Sequence, residues 1–560
     1  MSRPGSAPFL RRTFDGDRLL AAVCLGVPAL GLVVFFLYPM VIVFLRSITL
    51  GDGSYGLANY AEVLSTRGFW RATRHSMVMG LSTAAISVLL GFVIAHGLHR
   101  CAFRGKALIR AAIVLPLLAP SLVQALGLIF LLGRNGLVNR LFGTDLDIYG
   151  FWGLLIANTL YALPQAVMII GAALALSDAR TYEAAEVLGA SPWRQFRDIT
   201  LPAARFGILN AAFVTFIITI TDFGNAAVIG GDYSVLATEI YSQVIGQMNF
   251  NLGAVVGIML LLPTVVAYVI ERQASKRQEG RGGSAAVPFV PTPSAVRDLP
   301  MGALSFLLAA AIALVIGIVV YASFVRLWPY RFDLTFRHYA ITLAGGYSSL
   351  WTTIYVSLIA ATGGTVLVFL LGLGLRRAPA AVARPIQMIA VMPAAVPGMV
   401  LGLAYILTFN STATPLHLLY GTAALIAAVN FYHYHTQAFL TVMTGFRQLP
   451  VALEEAAGSL GAGLGRIATG VIAPFLAPML ISAFFFLFMR SMVTLSAVVF
   501  LTTPKLTVAS VTIMRLDDAG LTSQAAAFST VVMLVVALAL GSMKLLMRRL
   551  GRAAHGAGAG

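Results

Sequence analysis

Long apolar runs dominate this sequence, and their length constrains the fold more than any other feature. Twelve runs have about the 20 residues that an α-helix needs to cross a lipid bilayer. They cover residues 19–45, 76–98, 107–132, 151–176, 203–224, 250–270, 301–324, 349–375, 385–409, 418–443, 475–501 and 522–546. Only 11% of the 560 residues are charged, against about 25% in an average soluble domain. The sequence therefore predicts an all-α polytopic membrane protein with twelve transmembrane helices.

The basic residues are concentrated in alternate loops. If the N-terminus lies in the cytoplasm, the segments on that side hold 26 of the 38 Lys and Arg residues. This asymmetry is the positive-inside pattern, and it predicts that both termini are cytoplasmic. The membrane topology therefore explains the formal net charge of +17. We expect the lipid bilayer, and no nucleic acid, as a partner of these charges.

The second half of the chain repeats the first. Residues 80–100 align with 357–377 at an offset of 277. Beyond the third span the offset falls to 272, which pairs residues 235–241 with 507–513. Because each copy holds an even number of spans, the two six-helix repeats enter the membrane in parallel. Such repeats are expected to form a translocation pathway at their interface.

The repeat divides the chain into five parts. We expect a cytoplasmic tail, a first six-helix half, a cytoplasmic linker, a second six-helix half and a second cytoplasmic tail. Their predicted bounds are 1–18, 19–270, 271–300, 301–546 and 547–560. The linker is rich in Gly, Pro, Ser and charged residues, which is typical of segments outside a packed core.

A polar stretch, EAAEVLGASPWRQFRDITLP, lies between the fourth and fifth spans at residues 183–202. It predicts a short helix with Asp178 or Thr181 as N-cap and Gly189 as its C-terminal stop. Pro192 can then open a second short helix at its first turn. The stretch therefore predicts a helix–turn–helix on the cytoplasmic face.

This stretch resembles the EAA loop of permease subunits of binding-protein-dependent ABC importers. The shared pattern is Glu-Ala-Ala, three residues, Gly, nine residues, Ile, one residue and Leu-Pro. The second half repeats it at residues 454–474, with Val471 and Ala473 in place of Ile and Leu. The matching residues in the two loops are Glu183, Ala184, Ala185, Gly189 and Pro202, and Glu455, Ala456, Ala457, Gly461 and Pro474.

The resemblance implies the type I ABC importer permease fold, in the cytoplasmic (inner) membrane of a bacterium. It also implies that the two loops dock on a homodimeric ATP-binding subunit and that a periplasmic binding protein delivers the substrate. The sequence contains no GxxxxGK[ST] motif, so it has no phosphate-binding loop of that kind. We therefore expect a transport subunit that is not an enzyme, with no cofactor of its own and with ATP-Mg bound by the partner.

Polar residues within apolar spans are candidates for the pathway, because their burial is costly without a purpose. Asn158 and Gln165 lie seven residues apart on one helix face, and they recur as Asn430 and Gln437. These residues either line the pathway or form hydrogen bonds between helices.

Two ionisable residues fall in or near pseudo-equivalent spans. Asp222 lies at the outer end of span five, and Arg490 lies about one turn from the matching position in span eleven. They are candidates for contact with an ionised or zwitterionic substrate. The alternatives are a structural ion pair, or an arginine that reaches toward the interface. His433 and His435 point about 200° apart on a helix, so no metal site is expected there.

Fused permeases of this type resemble the importers of ferric iron, thiamine and 2-aminoethylphosphonate. Residues 221–231, 235–263 and 494–520 look most like the 2-aminoethylphosphonate type. That compound is therefore the predicted substrate, with ferric iron, or thiamine, as the alternative. An ion-coupled secondary transporter is a further alternative, because such proteins also use two parallel six-helix repeats.

Overall fold

The computed structural model describes residues 15–279, 287 and 289–557. Parts of the predicted tails and linker (residues 1–14, 280–286, 288 and 558–560) lie outside the described residues. The helices of the first half are α1 (Asp15–Leu32), α2 (Tyr38–Ile48), α3 (Ala58–Ser65), α4 (Arg67–Arg100), α5 (Lys106–Val114), α6 (Leu122–Leu132), α7 (Leu137–Phe142), α8 (Phe151–Ala175), α9 (Ala179–Val187), α10 (Pro192–Gln195), α11 (Leu201–Thr221), α12 (Gly224–Ile229), α13 (Leu236–Tyr241) and α14 (Phe250–Glu279).

The second half repeats this order. Its helices are α15 (Ala295–Phe324), α16 (Tyr347–Arg377), α17 (Ala380–Val391), α18 (Gly398–Phe409), α19 (Ala423–Gln448), α20 (Val451–Ser459), α21 (Leu464–Ile467), α22 (Ala473–Val493), α23 (Ala509–Asp518) and α24 (Thr522–Ala557). A short antiparallel hairpin, β1 (Val325–Leu327) and β2 (Arg331–Leu334), lies between α15 and α16. Turns of π-helix occupy Val33–Leu37, Phe196–Thr200, Ser242–Gly246 and Ala468–Ile472, and 3₁₀ turns occupy Leu115–Leu118, Arg337–Tyr339, Leu343–Gly345, Met392–Ala395 and Pro415–Leu419.

The fold is the predicted all-α polytopic membrane fold, but three predicted spans differ in detail. Within the described residues, ten helices are long and apolar enough to cross a membrane. A bent pair, Ala380–Ala395 with Gly398–Phe409, raises that number to eleven, and its two parts meet at 110°. The predicted span 107–132 is likewise broken, into α5 and α6. The predicted span 418–443 corresponds to α19, which has 26 residues but whose His, Asn and Gln side chains lower its hydropathy.

Proline explains the break in the third span of each half. A 3₁₀ turn begins one residue before Pro116 in the first half and one residue before Pro393 in the second. The residues before the next prolines, Ala119 and Val396, are extended. A proline cannot donate a helical hydrogen bond, and it disfavours helical geometry in the residue before it. The paired prolines therefore interrupt the same span at the same place in both repeats.

Three helices form the core of each half. Helices α4, α8 and α11 pack against one another, as do α16, α19 and α22. Small residues permit the close approach: a Cβ at Gly91 on α4 would lie 2.9 Å from the Cβ of Ala166 on α8. Close packing at small residues is the usual basis of helix association in membranes, where there is no hydrophobic force between helices.

The first helix of each half packs on the other half. Helix α1 lies against α16, and α15 lies against α4, α5 and α6. A Cβ at Gly374 on α16 would come within 2.7 Å of the Leu25 backbone of α1. The Tyr405 hydroxyl of α18 donates to the carbonyl of Phe35 at 2.7 Å. The two halves are therefore interlocked, and the domain bounds proposed from the repeat describe sequence units rather than separate bodies.

The predicted linker and C-terminal tail are more helical than expected. Helix α14 continues to Glu279 and α15 begins at Ala295, both within the predicted linker 271–300. Helix α24 continues to Ala557, through most of the predicted tail 547–560. Charged residues lowered the hydropathy of these segments, but charge does not prevent a helix from extending beyond the membrane.

Because α1 packs closely on α16, a bulky residue should destabilise the protein at the contact but not elsewhere on α16. Gly374→Leu should lower the melting temperature of the purified protein, because the side chain would overlap with the backbone of α1 and overpacking costs about 1–3 kcal/mol. Gly363→Leu on the same helix is the control, since a Cβ there meets nothing within 4 Å. Equal melting temperatures for the two variants would contradict the described packing.

Candidate coupling loops and translocation pathway

The first of the two motif loops, at residues 178–202, adopts the predicted helix–turn–helix. The Asp178 carboxylate accepts a hydrogen bond from the backbone N–H of Arg180 at 3.1 Å, which confirms the first of the two predicted N-caps of α9. Gly189 follows the helix with φ of 72°, a left-handed conformation that glycine adopts without strain. The Ser191 side chain caps α10, and Pro192 occupies the first position of that helix, as predicted.

The second loop has the same shape with a different cap. Helix α20 ends before Gly461, whose φ of 79° matches that of its counterpart in the first loop. The N-cap of α21 is Gly463, which has no side chain to accept a hydrogen bond. The carboxylate of Asp17, at the start of α1, accepts from the N–H of Leu464 at 3.0 Å instead. The helix exchanged from the first half thus caps the second loop.

Each loop has a glutamate and an apolar tip on its exposed surface. Glu183 and Glu455 are exposed. Leu188 and Leu460 occupy matching tips and are 84% and 88% exposed. The alanines of the two motifs, Ala184, Ala185, Ala456 and Ala457, are exposed or partly exposed. Because exposed leucines at matching tips favour burial against another surface, this arrangement suits protein docking.

The motif prolines lie inside continuous helices, so the fifth span begins before its predicted start at residue 203. The apolar helix runs unbroken from Pro192 to Thr221, and its counterpart runs from Leu464 to Val493. A π-helical turn ends two residues before Pro202 and Pro474 alike. Each proline lacks the N–H that an α-helix would use, and the wider turn accommodates that loss.

The asparagine pair is buried in hydrogen bonds between helices. Asn158 is 3% exposed and accepts from an asparagine side chain of α12 at 3.0 Å. Asn430 is 2% exposed and donates to a serine of α22 at 2.7 Å. Both contacts stay within one half, which favours the interhelical alternative for these residues. Gln165 is partly buried and Gln437 is exposed, so the glutamines remain the more accessible candidates for the pathway.

The two ionisable candidates have separate partners. The Asp222 carboxylate accepts from the backbone N–H of Asn225 at 2.9 Å. The Arg490 guanidinium lies 5.7 Å from the ring centre of Tyr434 and interacts with Tyr161 of the first half. No ion pair found between described residues joins Asp222 to Arg490. The geometry therefore does not support the alternative of a structural ion pair between these two residues. Arg490 lies where side chains of both halves meet.

The pathway candidates are chemically asymmetric, a feature that sequence reasoning missed. Thr494 occupies the position that matches Asp222 at the offset of 272. Its hydroxyl donates to the Arg490 carbonyl at 2.6 Å and lies 3.1 Å from the Tyr434 hydroxyl. The self-alignment contained this signal, because it places a neutral residue opposite the carboxylate. One half thus offers a carboxylate where the other offers a hydroxyl beside an arginine.

A carboxylate pair at the end of α23 was also missed. Asp517 is partly buried, and Asp518 beside it is exposed. Burial raises the pKa of Asp517 to about 6, and the neighbouring carboxylate adds to the shift. The signal in the sequence was two adjacent acids after an otherwise apolar segment. The pair is a further group of oxygen atoms that a cationic ligand could contact.

The histidines do not converge. The Nδ1 atom of buried His435 lies 3.0 Å from the carbonyl oxygen of Ala390, whereas His433 is partly exposed. Among the residues whose structure is described, no three His, Cys, Asp or Glu side chains are grouped as metal ligands.

A surface cavity lies between the two halves. It has a volume of about 600 Å³, and both halves contribute polar side chains to it. The polar lining residues are Arg46, Gln247, Asn249, Asn251, Asn410, Ser411 and Thr412. No motif indicated this cavity, because it forms from loop ends that are distant in sequence.

Comparison with known proteins shows what this chain is similar to. A family model described as binding-protein-dependent transport system inner membrane component matches residues 87–280. The chain is 27% identical over 509 residues to the putative ferric transport system permease protein FbpB 1 of Haemophilus influenzae, covering 88% of this chain and 79% of the relative. It is 27% identical over 548 residues to the ferric transport system permease protein FbpB of Actinobacillus pleuropneumoniae, covering 94% and 78%. A solved bacterial ABC transporter involved in alginate import is 19% identical, covering 47% of this chain and 96% of that one, with a TM-score of 0.39.

Neutral replacements test the two ionisable candidates. Asp222→Asn and Arg490→Gln should each lower transport about tenfold, the factor that corresponds to 1.4 kcal/mol, if each charge contacts the moving substrate. Uptake is measured in cells and normalised to membrane-inserted protein. Asp52→Asn and Arg447→Gln, at exposed positions, are the matched controls. Undiminished uptake by both test variants would remove these residues from the pathway.

Proposed function

We propose that the chain is a permease of the binding-protein-dependent ABC importers with its two halves fused, and that it moves ferric iron across the inner membrane. The observation that supports this cargo is the likeness to two ferric-transport permeases over nearly the whole chain, across both halves. The ion-coupled secondary transporter is set aside, because the family match belongs to a different class of transport system.

We further propose that the energy comes from a separate, homodimeric ATP-binding subunit. Two loops of matching shape, each with an exposed glutamate and an exposed leucine tip, suit a partner with two equivalent grooves. ATP-Mg would then bind to that partner, and a periplasmic binding protein would deliver the cargo. Both termini and both loops lie on the cytoplasmic side in this proposal, as the distribution of Lys and Arg indicates.

A phosphonate cargo is the second candidate. One observation favours it: Arg490 has tyrosines, and no carboxylate, as its described partners. A guanidinium in that setting suits a phosphonate anion, and Asp222 suits an ammonium group. The relatives favour iron over 2-aminoethylphosphonate, and they also include a thiamine transport permease of Brucella abortus, 27% identical over 55% of this chain.

Uptake assays in a strain that lacks this chain distinguish the cargoes. Deletion should abolish high-affinity uptake of radioactive ferric iron and leave growth on 2-aminoethylphosphonate as sole phosphorus source unchanged. Restoring the gene should restore iron uptake. Loss of phosphonate-dependent growth with normal iron uptake would reverse the order of the two candidates, and a thiamine requirement would favour the third.

Charge reversal in both loops tests docking. The double variant Glu183→Arg and Glu455→Arg should abolish ATP-driven uptake, because both charged contacts with the ATP-binding subunit would become repulsive. Membrane insertion, measured by protein yield, should stay unchanged, since both side chains are exposed. Asp52→Arg with Glu62→Arg makes the same charge change at exposed positions elsewhere, one in a loop and one on α3. Normal uptake by the test variant would refute the docking role.

A further inference from the structure

An arginine ties each coupling loop to a core helix. Arg100 is the last residue of α4, and Arg377 is the last residue of α16, at the repeat offset of 277. Each contacts the residue immediately before the motif glutamate, Tyr182 in the first loop and Glu454 in the second. The positions match across the halves, but the chemistry of the two contacts differs.

The first contact is made of aromatic rings. The Arg100 guanidinium carbon lies 4.9 Å from the ring centre of Tyr182 and 4.5 Å from that of Phe289. Arg100 is 4% exposed, and its Nη2 atom donates to the Leu174 carbonyl at 2.8 Å. A guanidinium held over aromatic faces is stabilised by the ring quadrupoles, most strongly when it is desolvated. We call Arg100, Tyr182 and Phe289 the aromatic anchor.

Phe289 belongs to the linker between the two halves, and the linker also contacts the start of α9. The Ala179 N–H donates to the Val287 carbonyl at 2.9 Å, and the Val287 N–H donates to the Asp178 carboxylate at 3.3 Å. The linker therefore shares the N-cap of the coupling helix and supplies one ring of its anchor. A chain segment that only joined the two halves would need neither contact.

The second contact is ionic. The Glu454 carboxylate lies 2.6 Å from the Nε atom of Arg376 and 2.7 Å from the Nη2 atom of Arg377. Its side chain is 9% exposed, and Arg376 also donates to the Phe446 carbonyl at 2.8 Å. Two arginines thus hold one buried carboxylate, whereas in the first half one arginine lies over two rings. We call Arg376, Arg377 and Glu454 the ionic anchor.

We propose that the two anchors are the positioning groups that hold the coupling helices on the helix bundle, so that movement of the ATP-binding subunit reaches the pathway. The linker is then a working part of the first coupling loop. This inference rests on the proposed docking function. A coupling helix without its anchor would still bind the ATP-binding subunit through its exposed face, but it would move without carrying α4 or α16 with it.

The test uses the full importer in liposomes, with its binding protein and ATP-binding subunit, and measures ATP hydrolysed per cargo transported. Phe289→Ala should raise this ratio about fivefold, the factor that corresponds to about 1 kcal/mol for a cation–π contact. Phe289→Tyr should restore it, because a ring remains over Arg100. Val290→Ala, at a linker position that is 79% exposed, is the matched control.

Glu454→Gln provides an independent variant, since it keeps the shape of the ionic anchor and removes its charge. It should raise the same ratio of ATP hydrolysed to cargo transported. The yield of folded protein is measured for each variant beside this ratio. A normal ratio for both Phe289→Ala and Glu454→Gln would overturn the proposal, as would a loss of yield with a normal ratio in the folded protein. Failure of the unmodified chain to retain the ATP-binding subunit would instead refute the docking function.

Discussion

The hydrocarbon of a bilayer offers no hydrogen-bond partner, and this constraint explains why the described membrane segments are helical. Helix interruptions coincide with prolines: the third span of each half has a 3₁₀ turn at its first proline, and the motif prolines follow π-helical turns. Polar side chains within the bundle, such as Asn158 and Asn430, bond to neighbouring helices. The bends are thereby made by short irregular turns between regular helices.

Duplication gave the chain two matching frameworks, and divergence gave them different chemistry. Asp222 corresponds to Thr494 at the repeat offset of 272, and Tyr182 corresponds to Glu454. A symmetric partner would meet two loops of the same shape, while a cargo would meet two unlike walls. This division is physically reasonable, because docking depends on the position of exposed helices, whereas passage depends on individual side chains.

Local rules predicted local structure, and contacts between distant residues escaped them. Gly189, Pro192 and the cap at Asp178 follow from the spacing of a short polar stretch, because helix ends are decided within a few residues. The repeat then predicted Gly461. No local rule predicts that α1 crosses to α16 or that Phe289 contacts Arg100, because those contacts depend on how helices pack. Helix α19 packs in the core although its polar residues lower its hydropathy. Hydropathy alone is therefore a weaker guide to this helix than to the other core helices.

The exchange of first helices sets an order of events during synthesis. Helix α1 leaves the ribosome before α16, against which it packs and which follows roughly 300 residues later. At 5–20 residues per second, that delay is about 15–60 s. The α1–α2 segment has the lowest buried share of the ten apolar spans, 22%, so lipid can solvate it while it waits. By contrast, α15 emerges when α4, α5 and α6 already exist, so its contacts with the first half can form without this delay.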